Sequence, residues 1–198
     1  MEHGTITTTH LKTKISKGEI KCLKALIQLK NVRLSFPSLF QRAQFNGEDG
    51  KYEATFLFSK EEKNLKAKLD KAIAAKLKEE NIKVPQDKRC LKDGDEVEYN
   101  GYEGNWSIKA SQSRRPTVID RDRSPLTEND NVIYAGCYVN AIVDLWVQNN
   151  SYGKRINANL YGVQFVKDGE AFGAGPVDVT DDFDDLSDDD DSEDDLDD

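Results

Sequence analysis

The stretch IYAGCYVNAIVDLWV, residues 133–147, decides the fold. One parity reads Ile133, Ala135, Cys137, Val139, Ala141, Val143, Leu145 and Val147, all apolar or small. The other reads Tyr134, Gly136, Tyr138, Asn140, Ile142, Asp144 and Trp146. Successive side chains of a strand point to opposite faces, so the first set faces a core and the second faces outward. The run predicts one long strand over 133–147.

Its neighbours extend the pattern in both directions. Downstream, turn residues at 149–153 lead into a last strand over 156–167, and the glycines and proline of 173–176 close the folded part. Upstream, Trp106, Ile108 and Ala110 alternate with Ser107, Lys109 and Ser111, and a short strand follows at 117–120. The charged, Gly-rich segment 84–105, with Asp93-Gly94 and Gly101 as turn signals, reads as loops around a short strand.

Near the start, Val32, Leu34 and Phe36 alternate with Asn31, Arg33 and Ser35 in a first strand over 29–36, which Pro37 ends. Turn residues at 46–50 precede a second strand over 52–59, where Tyr52, Ala54, Phe56 and Phe58 share one face. Ser59 and Glu62 have the spacing of a capping box, which predicts a helix from there to about residue 81. Its apolar stripe is Leu65, Leu69, Ile73 and Leu77, narrow enough for a charged helix that packs on a barrel wall or end. Together these elements predict a mainly β chain: an antiparallel barrel of five or six strands with one helix inserted between the second and third.

The composition divides the chain. Its formal charge is −9, yet residues 181–198 hold thirteen of the 37 carboxylates and no Lys or Arg. The remainder carries 28 basic against 24 acidic side chains, a mildly basic body joined to a polyanion. Residues 1–25, with Thr7–Thr9 followed by spaced lysines, read as a polar basic arm; 26–176 as one domain; and 177–198 as a disordered acidic tail whose like charges repel. No stretch is long and apolar enough for a membrane helix, and no secretory leader is visible, so the reading is a soluble protein of the cytoplasm. Cys22, Cys90 and Cys137 are too few and too scattered for a disulfide framework or a zinc motif, and Cys137 falls on the core parity.

Enzymatic chemistry finds little support. The two histidines, His3 and His10, lie in the polar arm, away from any Ser or Cys pattern. Asp93, Asp95, Glu96 and Glu98 form the one compact acidic cluster of the body, and a solvated loop is the simpler reading than a metal centre. The expectation is a protein without catalytic residues, metal or cofactor.

Binding residues are better represented. Tyr134, Tyr138 and Trp146 make the outward face of the long strand too aromatic for idle surface, although a loop or the helix covering these rings is an equal reading for Trp146. Basic residues cluster around the aromatic ones: Lys109, Arg114 and Arg115 after the Trp106 strand, Arg121 and Arg123 in the next loop, Lys154 and Arg155 in the turn, and Arg33 on the outer face of the first strand. Rings that stack on bases, interleaved with cations that meet phosphates, favour a groove that tracks single-stranded nucleic acid.

The ordered series KNVRLSFPSLF at 30–40, the strand 52–59, GYEGNWSIKAS at 101–111, RRPTVID at 114–120 and IYAGCYVNAIVDLW at 133–146 resembles a phage family of single-stranded-DNA-binding proteins, over about residues 28–175. The resemblance implies an OB-fold-like barrel and sequence-independent binding of single-stranded DNA during phage replication, recombination or repair. On that reading Arg33, Lys109, Arg114, Arg115, Lys154 and Arg155 neutralise phosphates, while Tyr102, Trp106, Tyr138 and Trp146 stack on bases.

The resemblance also implies partners. Similar acidic tails recruit a phage polymerase and helicase-primase, and a tethered polyanion can occupy the basic groove in place of DNA. Tails of familiar relatives end in an aromatic residue, whereas here the sequence ends Asp194-Asp195-Leu196-Asp197-Asp198. Phe183 and Leu186, among Asp188, Asp189, Asp190 and Asp191, are then the candidate apolar contacts of the tail. The rival reading is an interaction protein in which the tail binds basic or DNA-binding proteins and the barrel is a scaffold. An exposed edge strand would also allow a symmetric homodimer.

Overall fold

The computed structural model describes residues 26–173, so the basic arm with Cys22 and the acidic tail lie outside the described residues. The strands are β1 (Ile27–Ser38), β2 (Gln44–Phe45), β3 (Glu48–Asp49), β4 (Tyr52–Ser59), β5 (Leu91–Asp93), β6 (Asn105–Gln112), β7 (Thr117–Ile119), β8 (Tyr138–Asn150) and β9 (Gly153–Lys167), with helix α1 (Lys63–Glu79) between β4 and β5. The main sheet runs β5-β6-β4-β1-β8-β9-β7, and a further pairing of β6 with β9 closes β6, β4, β1, β8 and β9 into a barrel. The mainly β barrel with one inserted helix is the predicted class.

Closure corrects one expectation. Ala110 and Ser111 of β6 meet Ala158 and Asn159 of β9 in parallel, and β7 also runs parallel to β9, so the barrel is mixed where an antiparallel one was expected. The long hairpin β8–β9 is antiparallel throughout and carries the inward row Val139, Ala141, Val143 and Leu145 predicted from parity, all buried. It starts later than predicted: Ala135 and Gly136 form a turn before Tyr138, where Gly136 takes φ +111°. Within this turn Gly136 N–H donates to the Leu34 carbonyl at 2.7 Å, so residues 133–137 join the barrel without being strand.

The helix begins by other means than predicted. Glu62 is its N-cap and accepts no side-chain cap bond; the Ser59 hydroxyl instead accepts from the Glu61 N–H at 3.2 Å. Leu69 and Ile73 are buried and Leu65 and Leu77 pack on the core edge, as the stripe required. Lys60 ties the helix entrance to the loop beyond β5 through Asp93 and Asp95, each at 2.5 Å.

β1 breaks the simple alternation read from its sequence. Asn31 and Phe36 adopt left-handed φ values of 51° and 46°, and pairing shifts register around each. The parity therefore changes: Ser35 is buried, and Phe36, expected in the core, stands 56% exposed. Non-Gly residues enter this region at some cost, and such strain concentrates at functional positions.

Candidate nucleic-acid interface

The outer face of β4 and β6 sets short polar side chains among the longer Glu53 and Lys109. Thr55, Ser107 and Ser111 lie along it, leaving a trough where larger residues would make a ridge. Two hollows of about 960 Å³ and 540 Å³ share Thr55, Tyr99, Tyr102 and Lys109 and so form one continuous groove.

One end of the groove is aromatic. The Phe36 and Tyr99 rings meet edge to face at 5.2 Å between centroids, and both are 56% exposed. Tyr102 packs beneath Tyr99 at 5.4 Å and is buried, its hydroxyl 3.3 Å from the Ser35 hydroxyl. Tyr102 thus supports the exposed pair and offers no open face itself. Phe172 lines the same end.

The other end is cationic. Lys88, Arg89, Lys92 and Arg155 line it, and Lys109 stands at the junction. Arg89 is committed locally, with Nε and an Nη both donating to the Val84 carbonyl at 3.2 and 3.1 Å. Carboxylates line the groove too, Glu53 and Glu98 toward the aromatic end and Asp87, Asp93 and Glu96 toward the other. Glu53 pairs with Lys109 at 2.7 Å and Asp87 with Lys88 at 3.2 Å, which, with Arg89 committed to Val84, leaves Lys92 and Arg155 as the groove cations without a carboxylate partner among the described residues. Hydrogen bonds to Asp93 and Asp95 hold Lys60 above the usual lysine range, and Lys60 in turn holds both carboxyls below theirs.

The residues nominated from sequence fall in several places. Lys109 and Arg155 line the groove, Tyr102 lies in its wall, and Lys154 is exposed next to Arg155 on the β8–β9 hairpin. Trp106 is elsewhere: Lys60 and Lys66 lie over its ring at 5.3 and 4.4 Å, beside the helix. Tyr138 is covered by Lys167 at 4.5 Å, and Gly169 abuts its ring. Arg114 and Arg115 sit in the β6–β7 loop, Arg115 over Phe40 at 5.3 Å. Trp146 is half-buried opposite Asn157, which itself lines the groove.

Arg33 has a different task from the one assigned to it. Its Nε donates to the Gly136 carbonyl at 3.2 Å, an Nη donates to the Glu170 carbonyl, and its guanidinium covers the Phe172 ring at 4.2 Å. It fastens residues 170–172 to the barrel at the aromatic end of the groove. Phe36, Tyr99, Phe172, Lys88 and Lys92 were missed from sequence, and Tyr99 alone carried a signal, as an aromatic in the Gly-rich loop beside Tyr102.

The model of the family described as "Enterobacter phage Enc34, ssDNA-binding protein" matches residues 25–196. The chain belongs to this family. Among solved structures, the single-stranded DNA-binding protein from bacteriophage Enc34 in complex with ssDNA is 37% identical, with a TM-score of 0.70 over 75% of this chain and 89% of that one. A putative protein p50 of Acyrthosiphon pisum secondary endosymbiont phage 1 is 44% identical over 81% of this chain and 94% of its own length. The barrel also resembles gp2.5, a single-stranded DNA binding protein encoded by bacteriophage T7, at a TM-score of 0.54 over 82% of this chain and 97% of that one. At 13% identity that likeness is one of fold. Membership in the Enc34 family fits the groove, since both the barrel and its outer trough lie inside the matched residues.

Proposed function

We propose that this chain binds single-stranded DNA without sequence preference along the groove over β4 and β6. The observation that carries this reading is the junction of an exposed Phe36–Tyr99 pair with a cationic run through Lys109 to Arg155 in one trough. Unpaired bases stack on rings whatever their identity, at about 1–3 kcal/mol each, and the cations follow the backbone. Paired bases hide their faces, so the trough favours single strands. The solved Enc34 complex with ssDNA, from a relative at 37% identity, supports the same ligand.

The protein acts without catalysis, coating single strands during phage replication, recombination or repair in the host cytoplasm. Its acidic tail competes with DNA for the groove and, once displaced, contacts replication proteins such as the polymerase and helicase-primase. Arg33 fastens Phe172 beside the aromatic end, so the last described residues lie against the groove.

Anisotropy of a labelled oligothymidine, titrated over a range of salt with the full chain and with a version ending at Thr180, tests both statements. With about four phosphates contacted, log K falls against log salt with a slope near −3. A slope near zero removes the groove reading, and equal affinity of the two versions removes tail competition.

A further inference from the structure

The Tyr99 ring reaches the groove on a loop, not on a strand. The loop leaves β5 at Asp93 and returns to β6 at Asn105. Along its outward part the bonds are its own: Val97 N–H donates to the Gly94 carbonyl at 3.2 Å, and Tyr102 N–H donates to the Tyr99 carbonyl at 3.1 Å. Glu96, Val97 and Tyr99 line the groove, and the Tyr99 ring rests on the rings of Phe36 and Tyr102. A ring carried in this way is placed only as well as the ends of its loop.

Both ends meet at Lys60, which lies between β4 and α1. Its backbone N–H donates to the Gly104 carbonyl at 3.0 Å, at the returning end. Its ammonium stands 2.5 Å from a carboxylate oxygen of Asp93 and 2.5 Å from one of Asp95, at the leaving end. Asp95 joins the two ends directly, since its other oxygen accepts from the Gly104 N–H at 2.7 Å. Asp93 accepts from the Asp95 N–H at 3.0 Å, which fixes the turn between the two carboxylates. Gly94 lies between them, so close to the returning end that a Cβ would stand 2.2 Å from the Tyr102 carbonyl oxygen and 2.5 Å from that of Asn105. One cation and two carboxylates thus draw the neck of the loop tight.

Lys60 lines neither hollow of the groove, and neither does Asp95. The ammonium is matched by two acceptors and lies 5.3 Å over Trp106 on the helix side, so it is poorly placed to receive a phosphate. Exposed ion pairs add little to global stability, because water competes for them and their side chains lose freedom. At the neck of a loop their effect is local. A loosely held loop samples many positions, and a ligand that needs one of them must order it on binding, which lowers affinity.

We infer that Lys60 is a positioning residue for DNA: by joining Asp93 and Asp95 to Gly104, it holds Tyr99 against Phe36 before a base arrives. This rests on the single-strand reading above and adds to it a residue that touches no nucleotide.

The test measures oligothymidine affinity by anisotropy for Lys60→Met, Asp95→Ala, Tyr99→Ala and the double variant K60M/Y99A, together with hydrogen–deuterium exchange of each protein without DNA. K60M keeps the apolar stem and loses the ammonium; it binds roughly fivefold more weakly, the scale of ordering one side chain on binding. Exchange in K60M rises across residues 97–104 and stays at the wild-type level in β4 and β8, with an unchanged circular dichroism spectrum. The slope of log K against log salt stays that of the wild type, because no phosphate contact is lost.

Because K60M also uncovers two carboxylates near the groove, two controls separate placement from charge. Asp95→Ala deletes a negative charge close to the path of a polyanion and still weakens binding, since its bonds to Lys60 and Gly104 go with it. K60M/Y99A binds no more weakly than Y99A alone, since the clamp then has no ring to place.

A salt slope shallower by about 0.7 in K60M overturns the inference by making Lys60 a phosphate contact. Tighter binding by D95A, or an equal K60M loss with and without Tyr99, overturns it by reducing the effect to charge. Unchanged affinity and exchange in K60M, beside a weakened Y99A, remove the positioning role alone. No binding by the wild type at any salt removes the single-strand reading and this role with it.

Discussion

The guanidinium carbon of Arg33 lies 4.2 Å from the centre of the Phe172 ring. With carbonyl acceptors at Gly136 and Glu170, the side chain is held on three sides and joins the first strand of the barrel to the segment after its last. A cation in this position organises protein and is poorly placed to receive a phosphate. Arg33→Ala therefore lowers stability by about 1–3 kcal/mol, read as a shift of the urea midpoint at constant slope. Arg33→Lys recovers little of it, because an ammonium cannot copy the planar fork.

Gly136 supports the same joint from the other side. Its φ is +111°, and a Cβ there would stand 2.1 Å from the Glu170 carbonyl oxygen. Gly136→Ala combines backbone strain with a collision against main chain, so its cost exceeds about 2 kcal/mol in chemical denaturation. A midpoint within experimental error of the parent would show that the joint yields without penalty.

The aromatic end of the groove separates two sets of rings. Phe36→Ala and Tyr99→Ala each weaken oligothymidine binding by about 1–3 kcal/mol, or roughly 5- to 150-fold, with the fold retained. Trp106→Phe leaves the affinity unchanged, since Lys60 and Lys66 already occupy its face. The opposite ranking in a titration series would move the DNA path to the helix side of the barrel.

Burial pushes the Cys90 thiol up to about 12, and desolvation raises Cys137 as well. At pH 8 a thiol of pKa about 12 is ionised in roughly one molecule in ten thousand, and the thiolate is the reacting form. Iodoacetamide at pH 8 accordingly leaves Cys90 and Cys137 of the native protein unmodified over the time in which a denatured sample reacts fully. Peptide mapping by mass spectrometry reads the two sites separately.

Much of the barrel was legible because its strands obey a period of two. The row Val139 to Leu145 could face only one way, and β9 and β4 were placed within a few residues for the same reason. What escaped was local and conformational. Phe36 reads as core by alternation, and its φ of 46° cannot be read from a Phe in sequence, so the ring that opens the groove was assigned to the interior.

The residues nominated for the site fall in the proposed groove only in part. Lys109 and Arg155, nominated from sequence, line the proposed groove because their strands border it. Trp106 and Tyr138 were nominated as open rings, and lysines cover both: Lys66 lies over Trp106, which shares its parity with the buried Ile108 and Ala110, and Lys167, paired with Tyr138 across β8 and β9, lies over Tyr138. The β6–β9 closure was hidden because a parallel contact between strands so far apart leaves no hairpin signature.

That closure governs when the molecule becomes functional during its own synthesis. β9 is the last barrel strand to emerge, and until it docks along β6 the sheet is an open ribbon with unsatisfied edges. Arg155 and Asn157, which complete one wall of the groove, arrive on that same strand. A nascent chain therefore gains the groove proposed for DNA in the same step that seals its interior, so a product that stops before β9 lacks one wall of it.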